Sequence, residues 1–318
     1  MAWSTVASAG MTANGAFRYE KRGAATGRTL VFLPALGFAG SIWDPVIAKF
    51  EKEHPIYVLS FAGSDGIPAI KSPVIPPSVE DLHKLVEAEK IDKPIIVGQL
   101  FGGQVGMHYA AAYPDEIGGL FAIPMLYPRA PRETRTQEAQ KIADEYANMG
   151  DDMWEPNMRQ QLTDSIEKPA LVNTLMPMLL KCDRAAYARA LGEILADTIE
   201  DDLSKIKVPV FLLAPVELPA KSRDADVAQM RLGEHSRTTV TIMRGLYNNL
   251  AKVETMALRN AKLFPMVDQP DRVTFVLDRY LKKLGDPESR WGTTVGESLP
   301  SDKPPIDEKD ENKPKAPK

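Results

Sequence analysis

The chain has 318 residues, 44% of them hydrophobic and 26% charged, a globular composition that excludes a collagen, a coiled-coil rod and a wholly disordered polypeptide. Thirty-nine basic against 43 acidic residues leave a net charge of −4, so no global basic field draws nucleic acid, and no apolar run reaches the roughly 18 residues that a membrane span needs. The single cysteine, Cys182, excludes an intramolecular disulfide and a cysteine-based zinc site, and four histidines argue against a multi-histidine metal centre.

Residues 1–17 form an N-terminal extension without the basic start and apolar run of a signal peptide. The expected compartment is therefore cytoplasmic, or periplasmic if an upstream signal was removed. Further along, continuous apolar runs cover Arg28 to Leu33, Ile56 to Ser60, Pro94 to Val97, Leu120 to Ile123 and Val208 to Leu213. Such runs suit strands buried on both faces of a parallel sheet. Helical patterns lie between them, at Ile42 to Lys52, Val79 to Glu89 and Gly103 to Tyr113. Thr238 to Met243 (TTVTIM) is expected as the last strand and Arg272 to Leu284 as a closing helix. The alternation predicts an α/β fold with a doubly wound, mainly parallel sheet.

Residues 128–202 interrupt this order with four helical stretches: Glu133 to Met149, Met153 to Ile166, Pro169 to Leu180 and Ala185 to Ala196. The segment is too long for a loop and is expected to be a helical lid over the C-terminal edge of the sheet, where open α/β sheets bind ligands. The core is then 18–127 and 203–284. From residue 285 the chain loses its apolar periodicity and ends in a charged, proline-rich stretch, expected as a flexible tail over 285–318, with Trp291 docked on the body.

The most informative residues are Val97-Gly98-Gln99-Leu100-Phe101-Gly102-Gly103. A strand ends, small residues flank a tight turn, and a helix begins, which is the arrangement of a nucleophile elbow, G-x-S-x-G. Here the chain resembles the α/β-hydrolase family, and within it a bacterial subset with an AGFAG-like turn and a DQP segment. Leu33 to Pro45 (LPALGFAGSIWDP) is similar to the oxyanion loop and the helix start after it. Ser60 to Gly66 (SFAGSDG), Gln104 to Leu120 and Phe264 to Pro270 (FPMVDQP) follow in the family's order.

The resemblance implies a nucleophile at position 100 and a histidine at position 263. The chain has Leu100 and Leu263 there. Neither has a lone pair that could attack a carbonyl or carry a proton. The oxyanion loop has Pro34-Ala35 in place of the family's His-Gly. The acid position falls at Asp197 or Thr198, with Glu217, Asp224 and Asp226 as alternatives in a later loop. Ala35, Leu36, Leu100, Phe101 and Leu263 are the residues expected to line the pocket. The last segment, Arg244 to Asn260, looks like an insertion with an extra helical turn.

Other groups offer no obvious replacement. His54, His83, His108 and His235 lie outside the expected histidine loop. Ser60, Ser64 and Asp65 fit turn chemistry. Cys182 and the lid methionines fit packing. No phosphate loop, dinucleotide fingerprint or metal-ligand spacing occurs, so no cofactor and no metal are expected.

The expectation is a catalytically inactive α/β-hydrolase homologue that serves as a structural or binding subunit of a protein assembly. Its partner would be another protein or a second copy, presented with the lid, the insertion or the tail, and an apolar small ligand is the other candidate occupant. The alternative is an enzyme of the same fold, a hydrolase or cofactor-free lyase, that works with atypical residues.

Overall fold

A computed structural model describes residues 8–71, 73–124, 130–216 and 238–291. Eight strands form one sheet in the order β1-β2-β4-β3-β5-β6-β7-β8. Five central strands follow the apolar runs: β3 (Leu30–Leu33), β4 (Pro55–Phe61), β5 (Ile95–Gln99), β6 (Gly119–Ile123) and β7 (Val210–Val216). From β4 to β8 (Val253–Arg259) all pairings are parallel. Side chains alternate between two cores, one on each face of the sheet. Val31 and Leu33 enter the core that includes Leu82 and Val105, whereas Leu30 and Phe32 enter the core with Trp43, Val273 and Leu277. The two-residue period of a strand produces this division, and burial on both faces explains the uninterrupted apolar runs.

Two strands escaped the sequence reading. Part of the supposed extension, Ser8–Met11, is β1, and Phe17–Gly23 is β2. Both join the sheet antiparallel, with Phe17 opposite Phe61 in β4. The carboxylate of the fully buried Asp81 clamps the turn between them by accepting from Asn14 N and Ala16 N at 3.1 Å each.

The other corrections concern the end of the chain. Residues 238–243, expected as a strand, lie in a helix, α8, over 238–246. Val240, Met243 and Tyr247 are buried at helical spacing, and this amphipathic stripe outweighs the β-branched composition. The last strand is instead β8, inside the segment Arg244 to Asn260, so that segment is no helical insertion. Leu250, Val253, Met256 and Ala257 fall at helical spacing, which obscured the strand. Its Glu254 is 1% exposed, and Lys283 (2.6 Å) and Arg279 (3.3 Å) from the last helix pair with it.

Four helices enter between β6 and β7: α4 (Arg132–Ala147), α5 (Asp151–Ser165), α6 (Pro169–Leu180) and α7 (Arg184–Ala196). On the sheet faces lie α1 (Asp44–Phe50), α2 (Ile75–Ala88), α3 (Phe101–Ala112), the short α9 (Pro265–Asp268) and α10 (Pro270–Gly285). Trp291 packs edge-on against Tyr280, with centroids 5.8 Å apart, and under Lys283 Nζ at 4.4 Å. The expected tail lies outside the described residues from 292 onward. No helix among the described residues is long and apolar enough to cross a membrane.

Candidate functional site

The site is built on the turn between β5 and α3. Leu100 has φ 47° and ψ −108°, a left-handed backbone conformation that a branched residue adopts only at a cost of about 1–3 kcal/mol. The surroundings over-determine it. Leu100 N donates to Ile123 O at 2.8 Å, Gly102 N to Pro34 O at 3.1 Å, and Gln104 N to Leu100 O at 2.9 Å. Gly98 and Gly102 allow the strand and helix to touch. A Cβ on Gly98 would lie 2.5 Å from Gly102 O, and one on Gly102 would lie 2.4 Å from Leu33 O.

Gln99, fully buried, points toward the neighbouring loop. Its Nε2 donates to Leu263 O at 2.7 Å. This bond holds the loop before α9 against the elbow. Its Oε1 has no partner among the described residues. A polar residue at the end of an apolar strand was the signal in the sequence, and its partner 164 residues away was not.

Leu100 and Leu263 line one cavity of about 350 Å³. Ala35, Leu36 and Phe101 line it as well, so the structure brings together all five residues expected around the pocket. Helices α5 to α7 supply the facing wall, including Met158, Leu162 and Tyr187. Tyr187 is a site residue that sequence reasoning missed, because nothing in the helical pattern of 184–196 marks which position meets the core. Gly37 N donates to Ser64 Oγ at 3.2 Å, and Gly37 O accepts from Cys182 Sγ at 3.1 Å, which pins the loop that carries Ala35 and Leu36.

Asp197 goes elsewhere. Its Oδ1 lies 2.8 Å from His108 Nε2, and its Oδ2 accepts from Gln104 Nε2, both on α3. It lines a separate open cavity of about 610 Å³ with His108, Thr198, Glu80, Glu193 and Lys205. Neither Asp197 nor Thr198 is among the residues lining the elbow cavity. Glu217, Asp224, Asp226 and His235 lie outside the described residues.

The remaining candidates are engaged. Ser60 Oγ accepts from Gly40 N at 2.8 Å. His54 Nδ1 meets Arg28 O at 2.8 Å, and His83 Nδ1 meets Glu116 at 2.9 Å. Among the described residues no histidine is hydrogen-bonded to a serine or to the cysteine, and no cluster of three or more potential metal ligands occurs.

Burial pushes the Cys182 thiol from its ordinary 9.0 up to about 12. A thiol is nucleophilic only as thiolate, so Cys182 is inert in the folded state. Native protein at pH 8 is expected to leave Ellman's reagent unreacted for hours and to titrate one thiol on unfolding. The stability from keeping this thiol neutral is fully present below pH 9 and is lost as pH rises toward 12, because only the unfolded thiol ionises in that window. Rapid labelling of native protein would contradict both statements.

Similarities to known proteins agree with this architecture. A curated relative, named putative carbamate hydrolase RutD, from Escherichia coli O139:H28 (strain E24377A / ETEC), is 28% identical over 96 residues, which is 30% of this chain. The match spans only 36% of that relative's length. Among solved structures, the enol-lactonase from Burkholderia xenovorans LB400 superposes with a TM-score of 0.68 at 18% identity, covering 86% of this chain and 100% of that one. A thermophilic esterase from Thermogutta terrifontis gives 0.67 at 16% identity over 89% and 98% of the two chains. MenH from S. aureus gives 0.67 at 17% identity over 84% and 99%. At such identities the likeness is one of fold. The family model described as "Alpha/beta hydrolase family" matches residues 30–274, which span strands β3 to β8, the elbow and the inserted helices, and the chain belongs to that family.

Proposed function

We propose that this α/β hydrolase is catalytically inactive and is kept for binding, with an apolar ligand held between the elbow and the inserted helices. One observation carries the reading: the elbow turn is intact, yet the residue at its apex is Leu100, which has no heteroatom. Covalent acyl transfer needs an oxygen or sulfur at that point, with a base to take its proton. Leu263 stands across the same cavity, where the family resemblance places the histidine. Two leucines change a polar reaction centre into apolar wall, and the cavity of about 350 Å³ is within the range of small-molecule sites.

A role in a protein assembly was expected from the lid, the supposed insertion at 244–260 and the tail; the insertion is β8, and the tail lies outside the described residues from 292. Ligand holding is supported by the cavity that Leu100 and Leu263 line.

The likeness to the carbamate hydrolase over 96 residues favours the second reading, a hydrolase with atypical residues. Such an enzyme would need an activated group, and Ser60, Ser64 and Cys182 all have structural hydrogen bonds. Purified protein is expected to release no p-nitrophenol from p-nitrophenyl butyrate above a heat-denatured control, and to take no label from a fluorophosphonate. Stoichiometric labelling of one serine, with turnover, would establish the second reading instead.

A further inference from the structure

The walls of the elbow cavity are mostly apolar, with polar side chains at Gln161, Asp164, Ser165 and Tyr187, so whatever orients a ligand there must come from few groups. Tyr187, on α7, is the unusual one. Its ring stands edge-on to Trp154, with centroids 5.6 Å apart and planes at 88°. It lies over the turn at Gly37, where an added Cβ would come within 3.1 Å of the ring. Its hydroxyl has no hydrogen-bond partner among the described residues. Burial holds the phenol far above its ordinary pKa of 10.0, so it remains a proton donor at physiological pH. Tyr187 is half-buried on the cavity lining, and a donor in a mostly apolar wall gains an acceptor there only from water or from a ligand.

The other polar groups on the walls sort the ligands by charge. Gln161 is occupied by the Tyr146 hydroxyl and by Asn157. Asp164 is the only charged residue on the lining, exposed at the rim. No lysine or arginine is on the described lining, so a carboxylate entering the cavity would lose its hydration without a cation on the wall to compensate.

We infer that Tyr187 is the polar anchor of this cavity, donating its hydroxyl hydrogen to the carbonyl oxygen of a neutral, mostly apolar ligand, and that the site discriminates against the corresponding carboxylic acid. The inference rests on the binding reading proposed above. The ring contacts with Trp154 and the turn at Gly37 orient the donor before the ligand arrives, which spares the cost of ordering it on binding.

The test uses three probes of similar shape, 1-acetonaphthone, naphthalene and 1-naphthoate, titrated calorimetrically into the full chain and its Tyr187→Phe variant. The variant is expected to bind acetonaphthone about tenfold more weakly and naphthalene within about twofold of wild type, as loss of a single hydrogen bond requires. Wild type is expected to bind naphthoate at least about tenfold more weakly than the ketone. Tyr113→Phe, which removes a hydroxyl bonded to Glu80 at 3.1 Å away from the cavity lining, should leave all three affinities unchanged and controls for a general loss of packing. Equal weakening of ketone and hydrocarbon in Tyr187→Phe, an unchanged ketone affinity, naphthoate binding as tightly as the ketone, or no binding of any probe at millimolar concentration would each overturn the assignment. The ketone has no cleavable acyl bond, so this result is separate from the ester assay. Turnover of p-nitrophenyl butyrate would end the inactive reading while leaving the anchor to stand or fall on the ketone.

Discussion

Replacing Gly102 by alanine is expected to destabilise the protein by about 3 kcal/mol or more and to lower its melting temperature by about 6–10 °C. The added Cβ would sit 2.4 Å from the carbonyl oxygen of Leu33 and 2.6 Å from its carbonyl carbon. Both are backbone atoms of the central strand β3, which is hydrogen-bonded on both sides, to β4 and to β5, and cannot move aside. Gly245 in α8 is the control. Among the described residues nothing lies within 4 Å of a Cβ built there, so alanine should be neutral or stabilising by up to about 1 kcal/mol. Circular dichroism melts of the two variants decide the matter. Equal melting temperatures for Gly102→Ala and wild type would mean that α3 does not approach β3 as described. The elbow glycines are thus required for the fit of α3 on the sheet whether or not the turn carries a nucleophile. That requirement accounts for a turn that stays strained with leucine at its apex.

Asp268→Ala is expected to cost about 2–3 kcal/mol and to loosen the inserted helices. Asp268, in the DQP segment, is 1% exposed. Its carboxylate accepts from Glu167 N at 2.8 Å and Lys168 N at 3.1 Å, at the junction between α5 and α6. One side chain therefore ties the insertion to the loop that carries Leu263. Alanine leaves both amides without their partner and a void under the junction. Asparagine keeps one acceptor oxygen and should lose about half as much. Urea denaturation gives the stability, and limited proteolysis reads the junction, which should be cut faster in the alanine variant. Wild-type stability together with an unchanged cleavage pattern would mean that the insertion is held by its apolar contacts alone.

Local rules, read from the chain alone, determined much of this molecule. Runs such as Ile95 to Val97 announced strands because burial on both faces removes the need for polar alternation. The spacing of Gly98, Gly102 and Gly103 announced a close strand–helix turn. The absence of a heteroatom at positions 100 and 263 was equally plain, since it depends on residue identity. The boundaries of α6, Pro169 to Leu180, coincide with the sequence reading because a proline opens the helix and its apolar pattern is strong.

The rest was decided by contacts between residues distant in the chain. TTVTIM is a good strand in isolation, but its partners place Val240 and Met243 in a helix on the core. VETMALR fell in a segment expected to be a helical insertion, but it enters the sheet as β8, with Lys283 and Arg279 of α10 on its buried Glu254. Asp197 follows the inserted helices in sequence, at the position the family resemblance gives the acid, yet folding places it against His108 and Gln104 on α3. Tyr187 and Gln99 acquired their places from partners more than a hundred residues away, Gly37 and Leu263. Periodicity fixes which face of an element is buried, but the group that meets a given side chain depends on how whole elements pack, and that is settled only when the layers close.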